Sequence, residues 1–389
     1  MPNSTFTSQE LSEIRKLFPY LQKEWIYLNH AAISPLSSRI SERISGHLQR
    51  RSAEEVATFN HDIPAIEATR KRLQHLINAE SEDRIAFVQN TSQALNIVAR
   101  GLAWNPGDHI IVNDLEFPSN VYPYLNLESK GVVVDQVSHQ GGRITPEMIE
   151  EYITDRTRMV AISAVQFLSG YKADLQHIGQ ICDKHNLWFV VDAIQALGAS
   201  KVDVQEMNID ALASGSHKWL MAPQGLGMLY LTDKLQNHLV EHDLGWLSVE
   251  DPWQLFTHNQ AMDSTARRFE LGTPNTLGVH GLHASLDLFS EIGNERIYQR
   301  VSYLSGKLLD EMDSKTDLSR FSPKEESERA GIVTYHLPSD TDLDTLIPGL
   351  KEHQLHVAVR NGKFRLAPHF YNTEQEIERA VEIIKEYLD

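Results

Sequence analysis

The chain has 389 residues, 53 of them acidic and 36 basic, for a net charge of −17. That balance sets it against nucleic acid and anionic membrane surfaces as partners, because their phosphates are repelled overall. A single cysteine excludes an intrachain disulfide framework and fits a reducing, cytoplasmic setting.

The opening stretch, "MPNSTFTSQELSEIRKLFPYL", has no apolar core behind a basic start and does not read as a signal peptide. No later run approaches the ~18 apolar residues of a membrane span. From "RIAFVQ" onward, apolar strand-like runs alternate with amphipathic helical patterns. "SQALNIVARGL" reads as a helix, "HIIVND" and "VVVDQV" as strands around another helical stretch, and "RMVAISAVQ" as a strand. "LQHIGQICDKHN" is helical, followed by strands "LWFVVDA", "IDALASG" and "GLGMLYL". This order predicts an α/β fold with a mostly parallel sheet covered on both faces, whose ligands collect beyond the carboxyl ends of the strands. After about residue 275 a long helical pattern runs from Leu277 through "SGKLLDEM". Short strands in "GIVTYHL" and "HVAVR" and a charged helix, "EQEIERAVEIIKEYL", come next. The expected organisation is an N-terminal arm over 1–20, a large domain over 21–275 and a smaller α+β domain over 276–389, firmly docked.

The chemistry stands at the strand ends. "LWFVVDAIQALG" places Asp192 after an apolar run, where ionising a carboxylate without a partner is costly. "SGSHKW" places Lys218 after another such strand. "FVQNTSQAL" puts Asn90, Thr91 and Ser92 where a strand turns into a helix, and helix N-termini favour anions. Singly, each has a plain reading: a helix cap, a loop acid, a surface lysine. Together they match the needs of pyridoxal 5′-phosphate: a lysine for its aldehyde, a carboxylate for its ring nitrogen, and N–H and hydroxyl donors for its phosphate.

At these residues the chain resembles the class-V aminotransferases, the branch of fold-type-I pyridoxal phosphate enzymes that includes the cysteine desulfurases. The resemblance extends from "YLNHAAISPLS" to "FRLAPHFYNTEQEI" and is most specific at "VVDAIQALG", "SGSHKWLMAPQGLGMLY" and "RRFELGTPN". It implies a seven-stranded, mostly parallel sheet in the large domain. Lys218 would hold the cofactor as a Schiff base and move the substrate α-proton. Asp192 would pair with the pyridine nitrogen and Gln195 with the phenolic oxygen. Thr91, Ser92, Ser216 and His217 would lie near the phosphate. Gly215 stands where many relatives carry serine or threonine, which makes Ser214 a rival to Ser216. Phe117, in "EFPSN", occupies the place of a ring-stacking histidine and supplies a π-face without a proton donor. Gly272 and Thr273 would reach the neighbouring subunit's phosphate, implying a homodimer with shared sites. Arg365 would bind the substrate carboxylate through its planar fork, with Arg360 a second candidate. Asn29 and His30 fall in a segment that lines the pocket in relatives.

A desulfurase needs a nucleophilic cysteine on a mobile loop near the C-terminal domain. Between Arg360 and Arg365 this chain has "NGKF", and its one cysteine, Cys182, recurs with Leu175 and Ile178 at helical spacing. Persulfide chemistry on its own cysteine is therefore not expected. An amino acid substrate and Schiff-base chemistry at its α-carbon are. Transamination is favoured; β-elimination of the C–S lyase kind, epimerisation, or a non-catalytic cofactor-binding scaffold are the alternatives. "GWLSVEDPWQLF" either overhangs the pocket or forms a dimer contact. No local metal-binding spacing is present and no metal is expected.

Overall fold

The computed structural model describes residues 5–388. Twelve strands follow in chain order: β1 (Ile26–Tyr27), β2 (Ile85–Val88), β3 (His109–Asn113), β4 (Val133–Val137), β5 (Thr157–Ser163) and β6 (Trp188–Asp192). Then come β7 (Ala211–Gly215), β8 (Gly227–Leu231), β9 (Val333–His336), β10 (Leu355–His356), β11 (Ala358–Arg360) and β12 (Lys363–Leu366). Seven of them form the main sheet in the order β2-β8-β7-β6-β5-β3-β4. β8 runs antiparallel to both its neighbours and every other pair is parallel.

The strands read as apolar runs because both faces are buried. Phe189 and Val191 of β6 enter one hydrophobic cluster while Val190 between them enters another. The helix Thr91–Gly101 covers the second face with Ala94, Leu95 and Val98. β4 keeps two exposed positions, Val133 and Gln136, as suits an edge strand.

The long helical pattern after residue 275 is two helices, Thr276–Ile292 and Asn294–Lys315. The apolar periodicity continues through the junction, but Gly293 takes φ +96° there, which breaks the run. The first of these helices packs Val279, Leu282 and Leu286 into the large core. The second joins β9, β12 and the helix Glu374–Leu388 around a smaller core. Ile26 and Leu28 also belong to that smaller core, because β1 pairs with β10 in parallel. No described helix is long and apolar enough to cross a membrane.

Candidate active site

β2, β5, β6 and β7 all point their carboxyl ends to one edge of the sheet, because β2 and β7 both run antiparallel to β8 between them. The register places Ser163 opposite Asp192, Asp192 opposite Ala213, and Gly215 opposite Gly227. A Cβ on Gly227 would stand 3.3 Å from backbone atoms of Asn90. The residues following β2, β5, β6 and β7 therefore meet along one rim.

Lys218 lies in the bend after β7 and is largely enclosed. Its amine makes no hydrogen bond or ion pair among the described residues; it stands 5.6 Å from the centre of the Phe117 ring. Burial draws its pKa down, the Asp192 carboxylate works against that, and the Arg365 charge adds to it. Asp192 is buried, and burial raises its carboxyl well above the usual range. The Ile194 N–H, donating to Oδ1 at 3.0 Å, opposes the rise; the Glu116 charge reinforces it, and the Lys218 amine lowers it.

Asn90 caps the helix Thr91–Gly101 by accepting from Gln93 N at 2.9 Å. The N–H groups of Thr91 and Ser92 open the first turn, where no carbonyl of the helix is available to them. Thr91 Oγ1 is buried without a hydrogen-bond partner among the described residues. Ser92 Oγ donates to Ser119 Oγ at 2.9 Å. The hydroxyl of Ser216 is committed to Leu226 O at 2.8 Å and Pro223 O at 3.0 Å, and that of Ser214 to Gly215 O at 3.0 Å. Of the hydroxyls put forward for an anion, Thr91's is therefore the one left unpaired. His217 is half-buried, with its pKa lowered by burial and by Lys218.

Gln195 is buried and held at both ends. Its Oε1 accepts from Trp219 Nε1 at 2.8 Å and its Nε2 donates to Ala31 O at 3.0 Å, which leaves one amide hydrogen. Phe117 is exposed on one side and meets Phe167 edge-on, with ring centres 5.2 Å apart. Arg365 is buried in β12. Its Nη1 donates to Phe167 O at 2.8 Å, its Nε has no partner among the described residues, and burial lowers its pKa to about 10. Arg360 is exposed and bonds the carbonyl of its neighbour Val359. Asn29 forms a bridge to Ala367, with Oδ1 buried and unpaired among the described residues. His30, by contrast, is fully engaged: Nδ1 donates to Ala367 O and Nε2 accepts from Tyr371 Oη, both at 2.7 Å. Gly272 and Thr273 do not join this group. They line a separate cavity of about 200 Å³ with Gln89, Gln93 and Asn275.

Sequence reasoning passed over Glu116. Its buried carboxylate accepts from Asn113 Nδ2 at 2.7 Å, Asn120 Nδ2 at 3.0 Å, Ser163 N at 2.7 Å and Gln166 Nε2 at 2.8 Å, and from the Ser163 hydroxyl. This knot fixes the turn that presents Phe117 and ties it to the end of β5.

Residues 26–379 match the family model for aminotransferase class-V. The chain belongs to the class-V aminotransferase family. A probable cysteine desulfurase of Methanothermobacter thermautotrophicus is 28% identical over 96% of this chain and 97% of its own. An uncharacterised aminotransferase of Schizosaccharomyces pombe is 30% identical over 82% of this chain and 81% of its own. In fold, the structure of a cystine C–S lyase in complex with its product cysteine persulfide superimposes with a TM-score of 0.87. That likeness holds at 22% identity and covers 96% of this chain and all of the other. Family membership carries pyridoxal phosphate as cofactor. The site fits it: Thr91 Oγ1 is an orphaned donor at a helix N-terminus, and a buried acid and an unengaged buried amine share the same rim.

Proposed function

We propose that this class-V enzyme transfers the amino group of an amino acid, with Lys218 as the residue that holds the cofactor and then moves the α-proton. The observation that carries the reading is a largely enclosed lysine with no hydrogen bond or ion pair among the described residues, whose amine feels the Asp192 carboxylate and the Arg365 guanidinium in opposite senses. Burial disfavours the ammonium form, so the amine is available as nucleophile and base.

Bound pyridoxal phosphate supplies an electron-withdrawing ring that stabilises negative charge at the substrate α-carbon. Asp192 would hold the ring nitrogen protonated. The N–H groups of Thr91 and Ser92 and the hydroxyl of Thr91 would bind the phosphate, with His217 beside them. Gln195 would offer its remaining amide hydrogen to the phenolic oxygen, and Phe117 would present a π-face to the ring. Ser214 and Ser216 shape the floor through their backbone rather than donate, because their hydroxyl protons are already placed. Arg365 takes the substrate carboxylate, with Asn29 at the same wall; Arg360 stays outside.

A second copy completes the site through Gly272 and Thr273. Supporting this, Trp246, Trp253 and Phe256 lie exposed, Phe256 at 94%, and Trp253 stands 6.2 Å from the exposed ring of Phe59. With Thr273 and Pro274, the rings of Phe59, Trp246 and Trp253 line a cavity of about 770 Å³. Exposed aromatic surface on this scale marks an interface. The segment "GWLSVEDPWQLF" is thus read as a dimer contact.

Desulfuration on the chain's own thiol is disfavoured. Cys182 is buried in the helix Leu175–Lys184 and burial raises its thiol pKa. β11 and β12 are joined by Asn361 and Gly362 alone, both at positive φ, the signature of a tight hairpin with no loop to carry a nucleophile. The deciding experiment is an amino-acid panel with and without a 2-keto acid acceptor. Acceptor-dependent conversion is expected. Pyruvate and ammonia released from a β-substituted alanine without an acceptor would replace transamination by elimination.

A further inference from the structure

The helices Ser38–Ala53 and Phe59–Ile77 both pack against the helix Thr276–Ile292. Each turns one ligand-bearing side chain inward: His47, Asp62 and His280, with 4%, 6% and 4% of their surface exposed. Asp62 Oδ1 lies 2.9 Å from His280 Nε2 and 3.4 Å from His47 Nδ1, and one donor atom from each residue falls within 4.8 Å of the other two. A tetrahedral ion bound at about 2.0–2.1 Å holds its ligand atoms roughly 3.3 Å apart. The His47–Asp62 edge already has that length, and the His280–Asp62 edge needs to open by a few tenths of an ångström.

His47 supplies a second, independent observation. Neither of its ring nitrogens has a hydrogen-bond partner among the described residues, although the ring is buried. Leaving buried donors and acceptors unpaired is costly, and a cation between His47 Nδ1 and Asp62 Oδ1 removes that cost at Nδ1. Thr58 Oγ1 donates to Asp62 Oδ2 at 2.7 Å and so turns Oδ1 towards the two imidazoles, the kind of outer support that metal-binding carboxylates have. We propose that His47, Asp62 and His280 bind one divalent transition-metal ion of the zinc class, with water in the fourth position. Two imidazoles and one carboxylate are a donor set for such an ion rather than for Ca2+ or Mg2+.

Arg43 is the competitor. Its Nε donates to His280 Nδ1 at 3.3 Å, which puts the His280 proton on Nε2, facing Asp62. An ion at Nε2 requires that proton on Nδ1, and the exposed Arg43 side chain must then swing into solvent. Metal and Arg43 are alternatives.

The test uses the full-length, cofactor-loaded protein after removal of adventitious metal. Co2+ is titrated by visible absorbance and Zn2+ by calorimetry and by thermal melting. Expected are about one equivalent bound, a tetrahedral Co2+ band, and a melting temperature raised by Zn2+. His47→Ala and His280→Ala should each weaken Zn2+ binding at least about 10-fold; Arg43→Gln should match or exceed the wild-type affinity. No stoichiometric uptake by the wild-type protein overturns the proposal, as does uptake unchanged in both histidine variants. Should an alanine variant fail to fold, Arg43→Gln decides in its place: weaker binding there is incompatible with competition at His280.

Discussion

Arg365 Nη1, on β12 beside the smaller core, donates at 2.8 Å to the carbonyl of Phe167, which follows the end of β5 in the main sheet. The next two carbonyls are held from the same side: Leu168 O accepts from Thr334 Oγ1 at 2.6 Å and Ser169 O from Ser322 Oγ at 2.5 Å. The ring of Phe167 in turn meets Phe117, over which Lys218 sits. One strap thus links the proposed carboxylate-binding guanidinium, the proposed ring cover and the docking of the two cores.

Substitution at that strap separates binding from docking. Arg365→Gln should raise KM for the amino acid by about 10- to 100-fold, the loss of one charge-assisted hydrogen-bonded contact, with a smaller fall in kcat. Thr334→Val cuts the neighbouring strap bond and leaves the guanidinium, so KM should stay within about twofold while the melting temperature falls. Arg360→Gln should leave both unchanged. Steady-state kinetics on the three variants, with melting curves, checks this; an Arg360→Gln enzyme with the raised KM would move the carboxylate site outward.

Lys218→Ala should lower kcat by about 10³-fold or more, since both the nucleophile and the base are removed. The fold should persist, because the amine makes no hydrogen bond or ion pair among the described residues. Turnover, visible absorbance of the cofactor-loaded protein and circular dichroism are the measurements. Near-wild-type turnover would remove Lys218 from the chemistry.

Glu116→Gln is expected to destabilise the protein by about 3 kcal/mol. The carboxylate accepts from five donors; an amide in its place turns an N–H group against at least one of them and leaves that donor unsatisfied. The same change removes a negative charge that raises the pKa of Asp192. Urea unfolding gives the first quantity. Weakened cofactor retention, read by dialysis, gives the second consequence, since Phe117 loses its anchored turn.

The main sheet was legible because strands buried on both faces read as apolar runs, and Asp192, Thr91 and Lys218 could be placed at their ends by position alone. Glu116 was not, although Asn113 and Asn120 flank it at i−3 and i+4; a buried acid saturated by neighbours looks, in sequence, like a polar loop. The strap was invisible for a different reason. Its donors, Ser322, Thr334 and Arg365, are more than a hundred residues from the carbonyls they hold. The same holds for His47, Asp62 and His280, where no local spacing exists to find. Hydroxyl direction is the third limit: that Ser214 and Ser216 spend their protons on backbone carbonyls follows from where those carbonyls point.

Acid sensitivity should arise in part from two fully buried histidines beside the site, His369 and His30. His369 is fully buried with Nε2 donating to Trp219 O at 3.0 Å and Nδ1 accepting from Phe370 N at 2.8 Å. Burial disfavours the charged ring and draws its pKa down to about 4, against the hydrogen bond to Trp219 O; protonating Nδ1 would also set it against the Phe370 N–H. His30, buried and saturated by Ala367 O and Tyr371 Oη, is lowered as well. At His369 the unfolded chain takes up its proton near pH 6.5 while the folded one does not until about pH 4, so the unfolded state binds more protons in between; His30 shifts in the same direction. Stability should therefore be full above pH 6.5 and decline as pH falls through that window, by up to about 3 kcal/mol from His369. Below pH 4 its contribution to the slope ends. His369→Gln should be less stable at neutral pH and show a shallower decline between pH 6.5 and 4, measured by urea unfolding at stepped pH. A decline as steep as the wild type's would assign the acid sensitivity to other groups.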